Sequence, residues 1–195
     1  MSNYKIAFFA FLILSFAIPC DVAGQFKYER EYNLQKEKVQ VLATTFINTC
    51  CRGSNVKWYG EESLKGKSIE AKLNYKDALF SIEFDTTGYI QDVEKKIGFD
   101  NIPKNAQSAI VNKLDSVFRK HKIDKIQVQW VGSNEELYEL IEKNYSTLPH
   151  TINYEIVVNG KKEKSKKMYE VLFSMDGSIL SVSEIVQRNT DNLDY

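Results

Sequence analysis

The chain has 195 residues, and its 26 basic residues balance its 26 acidic residues, so the formal net charge is zero. A chain of this length fits one domain, or two small domains that share a core. The zero net charge argues against a nucleic-acid-binding protein, because no overall positive field is present to attract phosphate.

The N-terminal segment has the composition of a secretory leader. Lys5 precedes an apolar run over residues 6–18, which is too short to span a bilayer comfortably. Pro19 breaks this run, and small residues precede a predicted cleavage site ahead of Gln25. Lipidation at Cys20 is disfavoured because Pro19 stands where a lipobox has a small residue, but both outcomes stay open. We expect an exported protein, periplasmic or extracellular, with no stable membrane span after leader cleavage.

The first part of the mature sequence predicts one helix followed by four strands. Residues 25–34 are polar with scattered tyrosines, and we interpret them as a lead-in. Apolar side chains then recur at helical spacing, at Val39, Leu42, Ala43, Phe46, Ile47 and Cys50. Four alternating segments that begin near Val56, Ile69, Phe80 and Tyr89 predict strands. The links between these strands are short, so neighbouring strands should be antiparallel.

The second part predicts a similar order of elements with one extra helix. Pro103 stands at the start of a helix whose apolar positions extend to His121, and the next strand begins at Ile126. Ser133, with acidic residues after it, predicts the start of a short additional helix. Three more alternating strands begin near Ile152, Tyr169 and Ile179.

An internal similarity links the two parts. Val56–Gly60 and Val128–Gly132 share the pattern V-x-W-x-G, and a shift of 72 residues aligns them. The same shift aligns Phe46 with Phe118, one residue in each predicted helix. Such self-similarity is typical of a supersecondary unit that is used twice.

These patterns predict an α+β fold that is a tandem repeat of one helix plus four antiparallel strands. The result would be one sheet of about eight strands, with the helices on one face. The expected boundaries are 1–24 for the signal peptide, 25–98 for the first repeat, 99–187 for the second repeat and 188–195 for a flexible tail.

The expected sheet has one face under the helices and one open face. Trp58 and Trp130 alternate with polar neighbours, and we place both on the buried side. The open face mixes charged, aromatic and apolar groups, which suits a protein interface, although a solvated face without a partner fits the pattern equally well. The candidate partner-binding residues on that face are Lys57, Tyr59, Glu70, Lys72, Gln129, Val131, Val157, Glu170 and Leu172.

No catalytic constellation is visible in the sequence. His121 and His150 have no cysteine or acid at metal-ligand spacing, and the carboxylates look dispersed, as on solvated faces. We therefore predict no catalytic residue, no metal site and no cofactor. A basic loop could contact an anionic partner, but a solvated hairpin is the simpler interpretation; it contains Lys161, Lys162, Lys164, Lys166 and Lys167.

Two adjacent cysteines remain after the leader, Cys50 and Cys51. A disulfide between them would be strained, because consecutive Cα atoms lie only about 3.8 Å apart. We expect Cys50 to be buried and Cys51 to lie near a helix end. An intermolecular disulfide or a reactive thiol is the alternative, and the sequence leaves the redox state open.

Several motifs carry a resemblance to a known family. They are Ile102-Pro103 followed by Ala106, the I-x-V-x-W strand, the hairpin segment 154–160, and the strand 169–173 that leads to Asp176-Gly177. On these motifs the chain resembles the PepSY-like, beta-lactamase-inhibitor-protein-like family of exported bacterial proteins. The resemblance implies a helix-backed antiparallel sheet, secretion, and a binding or inhibitory role, and it carries over no catalytic residue.

The sequence thus predicts an exported, non-enzymatic binding module that inhibits or regulates an envelope hydrolase through the open sheet face. The expected partner is another protein, and the sequence indicates neither its identity nor the oligomeric state. The alternative is a carrier or sensor of a small apolar ligand, bound between sheet and helices near Trp58 or Trp130.

Overall fold

The computed structural model describes residues 25–64 and 66–187. Its nine strands are β1 (Gln25–Asn33), β2 (Val56–Ser63), β3 (Gly66–Tyr75), β4 (Ala78–Asp85), β5 (Ile90–Lys96), β6 (Lys120–Val131), β7 (Thr151–Lys161), β8 (Lys166–Ser174) and β9 (Ile179–Gln187). Its three α-helices are α1 (Val41–Cys50), α2 (Lys104–Val117) and α3 (Asn134–Lys143). Short 3-10 helices span Lys36–Lys38 and Phe99–Asn101. The predicted leader and tail lie outside the described residues, and no described helix is long and apolar enough to cross a membrane.

The strands form one closed barrel. Neighbours in the chain pair in an antiparallel arrangement from β1 to β9, as their short connections require. The last pairing is different, because β9 returns to β1 in a parallel arrangement, with Lys27 opposite Ile185. On its other side β1 pairs with β2, with Tyr32 opposite Gly60. Closure leaves none of the nine described strands with an unpaired long edge.

The predicted tandem repeat with one open sheet of about eight strands is therefore wrong. Nine strands close into a barrel, accompanied by three short α-helices. The decisive segment is 25–33, which we interpreted as a lead-in and which forms β1. The division of the chain after residue 98 stays a prediction.

The apolar core lies on the outer face of the barrel, between the sheet and the helices. Trp58, Ala71, Ile82, Val93 and Trp130 form one cross-strand row over β2 to β6, and all five are buried. The helices cover this face with their own buried side chains, including Ala43 and Ile47 of α1, Ile110 and Leu114 of α2, and Leu137 and Ile141 of α3. Burial of both tryptophans, as predicted, is confirmed.

The start of α3 and the end of α2 can be compared with the positions predicted from local sequence signals. Ser133 and Glu136 form a capping box at the start of α3, which confirms the predicted additional helix. The second helix, in contrast, ends at Val117 and not at His121 as predicted. Phe118 already has extended dihedral angles, because the chain enters β6 at Lys120 to pair with β7.

Core packing on the outer face predicts that two aromatic residues near the β4–β5 turn contribute very differently to the free energy of unfolding. Phe84 is fully buried and its ring packs against Phe46 of α1 and Trp58 of β2, whereas Tyr89 is 61% exposed. We expect Phe84→Ala to lower the free energy of unfolding by about 3–5 kcal/mol. Tyr89→Ala should change it by no more than about 0.5 kcal/mol. Urea titration followed by circular dichroism measures both, and equal losses would contradict this placement of the core.

Candidate functional site

The candidate site is the lumen of the barrel. Side chains alternate along a strand, so the residues between the core positions point inward. A cavity of about 270 Å³ in this interior is lined by residues from all nine strands. Nine of its lining residues are carboxylates: Glu29, Glu31, Glu61, Glu70, Glu83, Asp92, Glu94, Glu155 and Glu170. Only three are cationic, Lys27, Lys72 and Lys125, and we call this set of twelve side chains the acidic lumen.

A second, wider cavity adjoins the first. Its volume is about 780 Å³, and it shares seven lining residues with the first cavity: Lys27, Glu29, Glu83, Asp92, Glu94, Glu155 and Glu170. Phe26, Tyr28, Leu64 and Leu172 add aromatic and apolar surface to its lining. The interior therefore combines a charged narrow part with a larger, mixed part.

Two lysines of the acidic lumen are each held between two carboxylates. Lys27 Nζ lies 2.5 Å from Glu170 Oε2 and 3.1 Å from Glu29 Oε1. Burial alone would lower the pKa of Lys27, but the charges of Glu170, Glu155 and Glu29 outweigh it and raise that pKa. Lys27 is therefore a firmly charged counter-ion inside the barrel.

Lys72 is the second such counter-ion. Its Nζ lies 2.5 Å from Glu31 Oε2 and 3.0 Å from Glu70 Oε2. Burial again opposes the charge, yet the hydrogen bond to Glu31 and the charge of Glu70 raise the pKa of Lys72. Ser81 Oγ donates a hydrogen bond to the other oxygen of Glu70.

The remaining carboxylates are less well compensated, and their pKa values rise together. Burial raises the pKa of Glu61 to about 9, and the neighbouring charge of Glu70 adds to the effect. Burial, followed by the charge of Glu83, raises the pKa of Asp92 to about 7. Burial also raises the pKa of Glu94 well above its usual value and that of Glu83 to a lesser degree. The lumen thus holds more carboxyl groups than its own lysines can pair with, and the raised pKa values keep several of them protonated near neutral pH.

Three acids of the lumen converge closely enough to be considered as metal ligands. One carboxylate oxygen from each of Glu31, Glu61 and Glu70 lies within 4.8 Å of the other two. Oxygen ligands of this kind suit Ca²⁺ or Mg²⁺. However, the ammonium group of Lys72 already lies against Glu31 and Glu70, so a divalent cation would have to displace it.

The predicted open sheet face is the inner face of the barrel, so the prediction that it is open is wrong. Closure of the sheet through β1 turned this face inward. Glu70, Lys72, Val157 and Glu170 line the narrow cavity, and Gln129, Glu170 and Leu172 line the wider one.

The other three predicted face residues line neither cavity. Lys57 is exposed, and Tyr59 lies with its ring centroid 4.8 Å from Lys72 Nζ. Val131, at the end of β6, is 38% exposed.

Sequence reasoning missed most of the acidic lumen. The missed residues are Lys27, Glu29, Glu31, Glu61, Asp92, Glu94, Lys125 and Glu155. A signal was present in β1, where Phe26, Tyr28 and Tyr32 alternate with Lys27, Glu29 and Glu31. Alternation with acids on the face opposite the core normally indicates solvent, which is why these carboxylates looked dispersed.

The basic loop and the cysteine pair lie outside the acidic lumen. Lys161 ends β7, Lys166 and Lys167 begin β8, and the turn between them contains Lys162 and Lys164. Lys162 Nζ lies 4.6 Å from the ring centroid of Tyr169, and Lys167 Nζ lies 2.7 Å from Glu184 Oε1. Two of these lysines thus have structural contacts, and an anionic partner for the loop stays a prediction.

Cys50 and Cys51 are both buried, with their Sγ atoms 3.4 Å apart and no bond between them. The hydrogen bond to Cys51, and then burial, raises the pKa of the Cys50 thiol. Cys51 stands just after the last residue of α1, so the expected placement of both cysteines is confirmed.

The raised pKa values predict that stability falls as the pH rises from about 5 to about 8. Asp92 and Glu170 have a pKa of about 7 in the folded protein, above the usual values of 3.8 and 4.5. The native state therefore binds more protons than the unfolded chain, and the stability gained from these protons is lost as the pH rises through about 7. Carboxylates with a lowered pKa, such as Asp85, change the stability only at pH values below this range.

Differential scanning fluorimetry between about pH 5 and pH 8 measures this effect. Asp92→Asn should flatten the profile and raise the melting temperature at the alkaline end, because it removes one buried negative charge. Asp124→Asn, at an exposed position of β6, is the matched control and should leave the profile unchanged. A melting temperature that rises with pH in this range would contradict the buried acidic lumen.

Comparisons with known proteins found similarity only among solved structures. No model of a known protein family matches the sequence, and no curated protein matches it. A BLIP-like protein from Bacteroides fragilis is 13% identical, with a TM-score of 0.49, and the match covers 78% of this chain and 90% of that one. A protein of the DUF2874 family from Bacteroides ovatus is 9% identical, with a TM-score of 0.45, and covers 75% of this chain and 87% of that one.

A third similar structure is that of a candidate periplasmic protein from Bacteroides eggerthii, which is 13% identical with a TM-score of 0.49. The match covers 78% of this chain and 93% of that one. The BLIP-like description agrees with the beta-lactamase-inhibitor-protein-like resemblance seen in the sequence, whereas no PepSY-like protein is among the three. Identities and TM-scores of this size transfer no function to this chain.

Proposed function

We propose that the protein is an exported, non-enzymatic binding module that holds a positively charged ligand in its barrel lumen. The observation that carries the proposal is the excess of carboxylates over lysines, nine against three, in a cavity lined by every strand. Negative charges in a confined interior attract a cation more strongly than the same charges on a surface, because water screens them less. The predicted leader supports export.

Binding is favoured over catalysis by the way the carboxylates titrate. An acid/base pair needs two groups whose environments push their pKa values apart. Here the pKa values of Glu61, Asp92 and Glu170 all rise, and burial is the first cause for each. Within the part of the chain that the structure describes, neither cavity is lined by a histidine or a cysteine that could supply a second kind of reactive group. The shared upward shift means that the site is short of positive charge, so a bound cation would replace protons on these carboxyl groups.

The sequence predicted two functions, inhibition of a hydrolase and binding of an apolar ligand. Inhibition of an envelope hydrolase by a protein–protein contact stays a prediction, and its proposed surface lies inside the barrel. The alternative of an apolar ligand near Trp58 or Trp130 is not favoured. Both side chains belong to the packed core, at 6% and 4% exposure, and neither lines the lumen.

Isothermal titration calorimetry with small organic cations, zwitterions and anions of similar size tests the proposal. We expect cations to bind and anions not to bind, with an affinity for cations that falls as salt is added. The double variant Glu83→Gln/Asp92→Asn should weaken binding by about tenfold or more, because both carboxylates line the lumen.

Glu37→Gln is the matched control, since Glu37 is exposed in a 3-10 helix before α1. Equal binding of cations and anions would contradict the proposal. So would a loss of affinity in the Glu37→Gln variant as large as that in the lumen variant.

A further inference from the structure

Three acids face one another directly across neighbouring strands of the lumen. Glu70 of β3 stands opposite Glu83 of β4, and Glu83 stands opposite Asp92 of β5. Like charges in directly opposed positions destabilise a sheet. A cation that lies between the members of such a row reduces the repulsion between their negative charges.

The lysines of the lumen form their close ion pairs on one side of it, and Lys27 and Lys125 act on Glu83, Asp92 and Glu94 only from a longer distance. The ion pairs of Lys27, Lys72 and Lys125 involve Glu29, Glu31, Glu70, Glu155 and Glu170. Among the described residues, no ion pair includes Glu61, Glu83, Asp92 or Glu94. Asp92 accepts only a long hydrogen bond, 3.3 Å, from Gln129 Nε2. The strip of acids on β4 and β5 is therefore the part of the lumen that can take a cation from outside.

Unpaired acceptors provide an independent indication of what that cation carries. Among the described residues, two buried side-chain atoms have no hydrogen-bond partner, Gln127 Oε1 and Glu70 Oε2. Gln127 is 6% exposed, lies between the core residues Ile126 and Val128, and stands opposite Glu155 on the inner face. Glu70 Oε2 already has the Lys72 ammonium group 3.0 Å away as its ionic partner, so Gln127 Oε1 is the acceptor that is left over. A ligand that satisfies Gln127 Oε1 is a hydrogen-bond donor.

The protein's own side chains show which donor fits this interior. Lys27 and Lys72 each present a primary ammonium group on a flexible alkyl chain to two carboxylates. An ammonium group offers three donors and one positive charge. Val157 and Ile185 line the same cavity and provide apolar surface for methylene groups. The narrow lumen thus suits an alkyl chain with ammonium ends.

The backbone spacing of the two acids on β5 is compatible with a short diamine. Asp92 and Glu94 occupy successive inward positions, and such positions are about 6.7 Å apart along a strand. An extended four-carbon diamine places its two nitrogen atoms about 6 Å apart. A divalent metal in the one converging trio described, Glu31, Glu61 and Glu70, would instead have to displace the Lys72 ammonium group.

We propose, resting on the cation-binding function above, that the lumen binds a linear aliphatic diamine or polyamine. Its ammonium groups lie against Asp92 and Glu94, and its methylene chain lies in the cavity that Val157 and Ile185 line.

Calorimetric titration of the purified mature protein with 1,4-diaminobutane and spermidine tests the proposal. We expect the diamine to bind about tenfold or more tightly than 1-aminobutane, which has one ammonium group and the same alkyl chain. Asp92→Asn and Glu94→Gln should each bring diamine affinity down to the level of the monoamine. Glu37→Gln should have no effect. Thermal unfolding of each variant verifies that it is folded, and replacement of a buried carboxyl group by a neutral amide should leave both lumen variants at least as stable as the parent.

A proton readout separates lumen binding from attachment at the surface. Ammonium binding near neutral pH should displace protons from the lumen carboxylates, so the measured enthalpy should depend on the ionisation enthalpy of the buffer. Absence of this dependence, or equal affinity for diamine and monoamine, would overturn the proposal.

Calcium chloride and tetramethylammonium provide the remaining arms of the experiment. If either binds in the lumen and the diamines do not, the cation-binding function stands and the diamine proposal fails. If no cation binds at all, both fail together.

Discussion

The parallel pairing of β9 with β1 is the contact on which the rest of the structure depends. Without it, the sheet would have one free edge at each end and an open inner face. With it, every strand has two neighbours, and the inner face becomes a lumen. Lys27 illustrates the consequence, because it lies on β1 and reaches Glu170 of β8 across the closure. Closure and charge pairing therefore support each other.

The same closure creates an electrostatic cost that the chain only partly offsets. Carboxylates that would be solvated on an open face are held together in a confined space. Lys72 lies between Glu31 and Glu70, and Lys27 lies between Glu29 and Glu170, yet Glu83, Asp92 and Glu94 have no such partner among the described ion pairs. A protein that keeps uncompensated charge in its interior departs from what stability alone favours. Such a departure is typical of a functional site.

The hydrophobic core and the lumen lie on opposite faces of one sheet. The outer row from Trp58 to Trp130 packs under the helices and supplies burial of apolar surface. This arrangement frees the inner face from any role in the core, so that its residues can be polar. The barrel thus has its apolar core on the outside, under the helices, and its polar side chains on the inside.

Much of the local structure could be predicted from the sequence, because it follows from short-range patterns. Alternation identified β2 to β9, the helical spacing identified α1 and α2, and the capping box identified α3. Alternation also assigned Glu70, Lys72, Glu170 and Leu172 to the face opposite the tryptophans. The strand β1 was missed because charged residues alternate in it with aromatic residues that are exposed, which resembles a solvated segment.

The sequence by itself determined which residues alternate and hence which side chains share a face. Only the tertiary structure decided that this face is enclosed, because closure depends on pairing between segments about 160 positions apart, and backbone hydrogen bonds carry no residue-specific signal. The chemistry of the site depends on that decision. The same carboxyl groups would be dispersed on an open sheet, whereas closure of the barrel brings nine of them around one cavity.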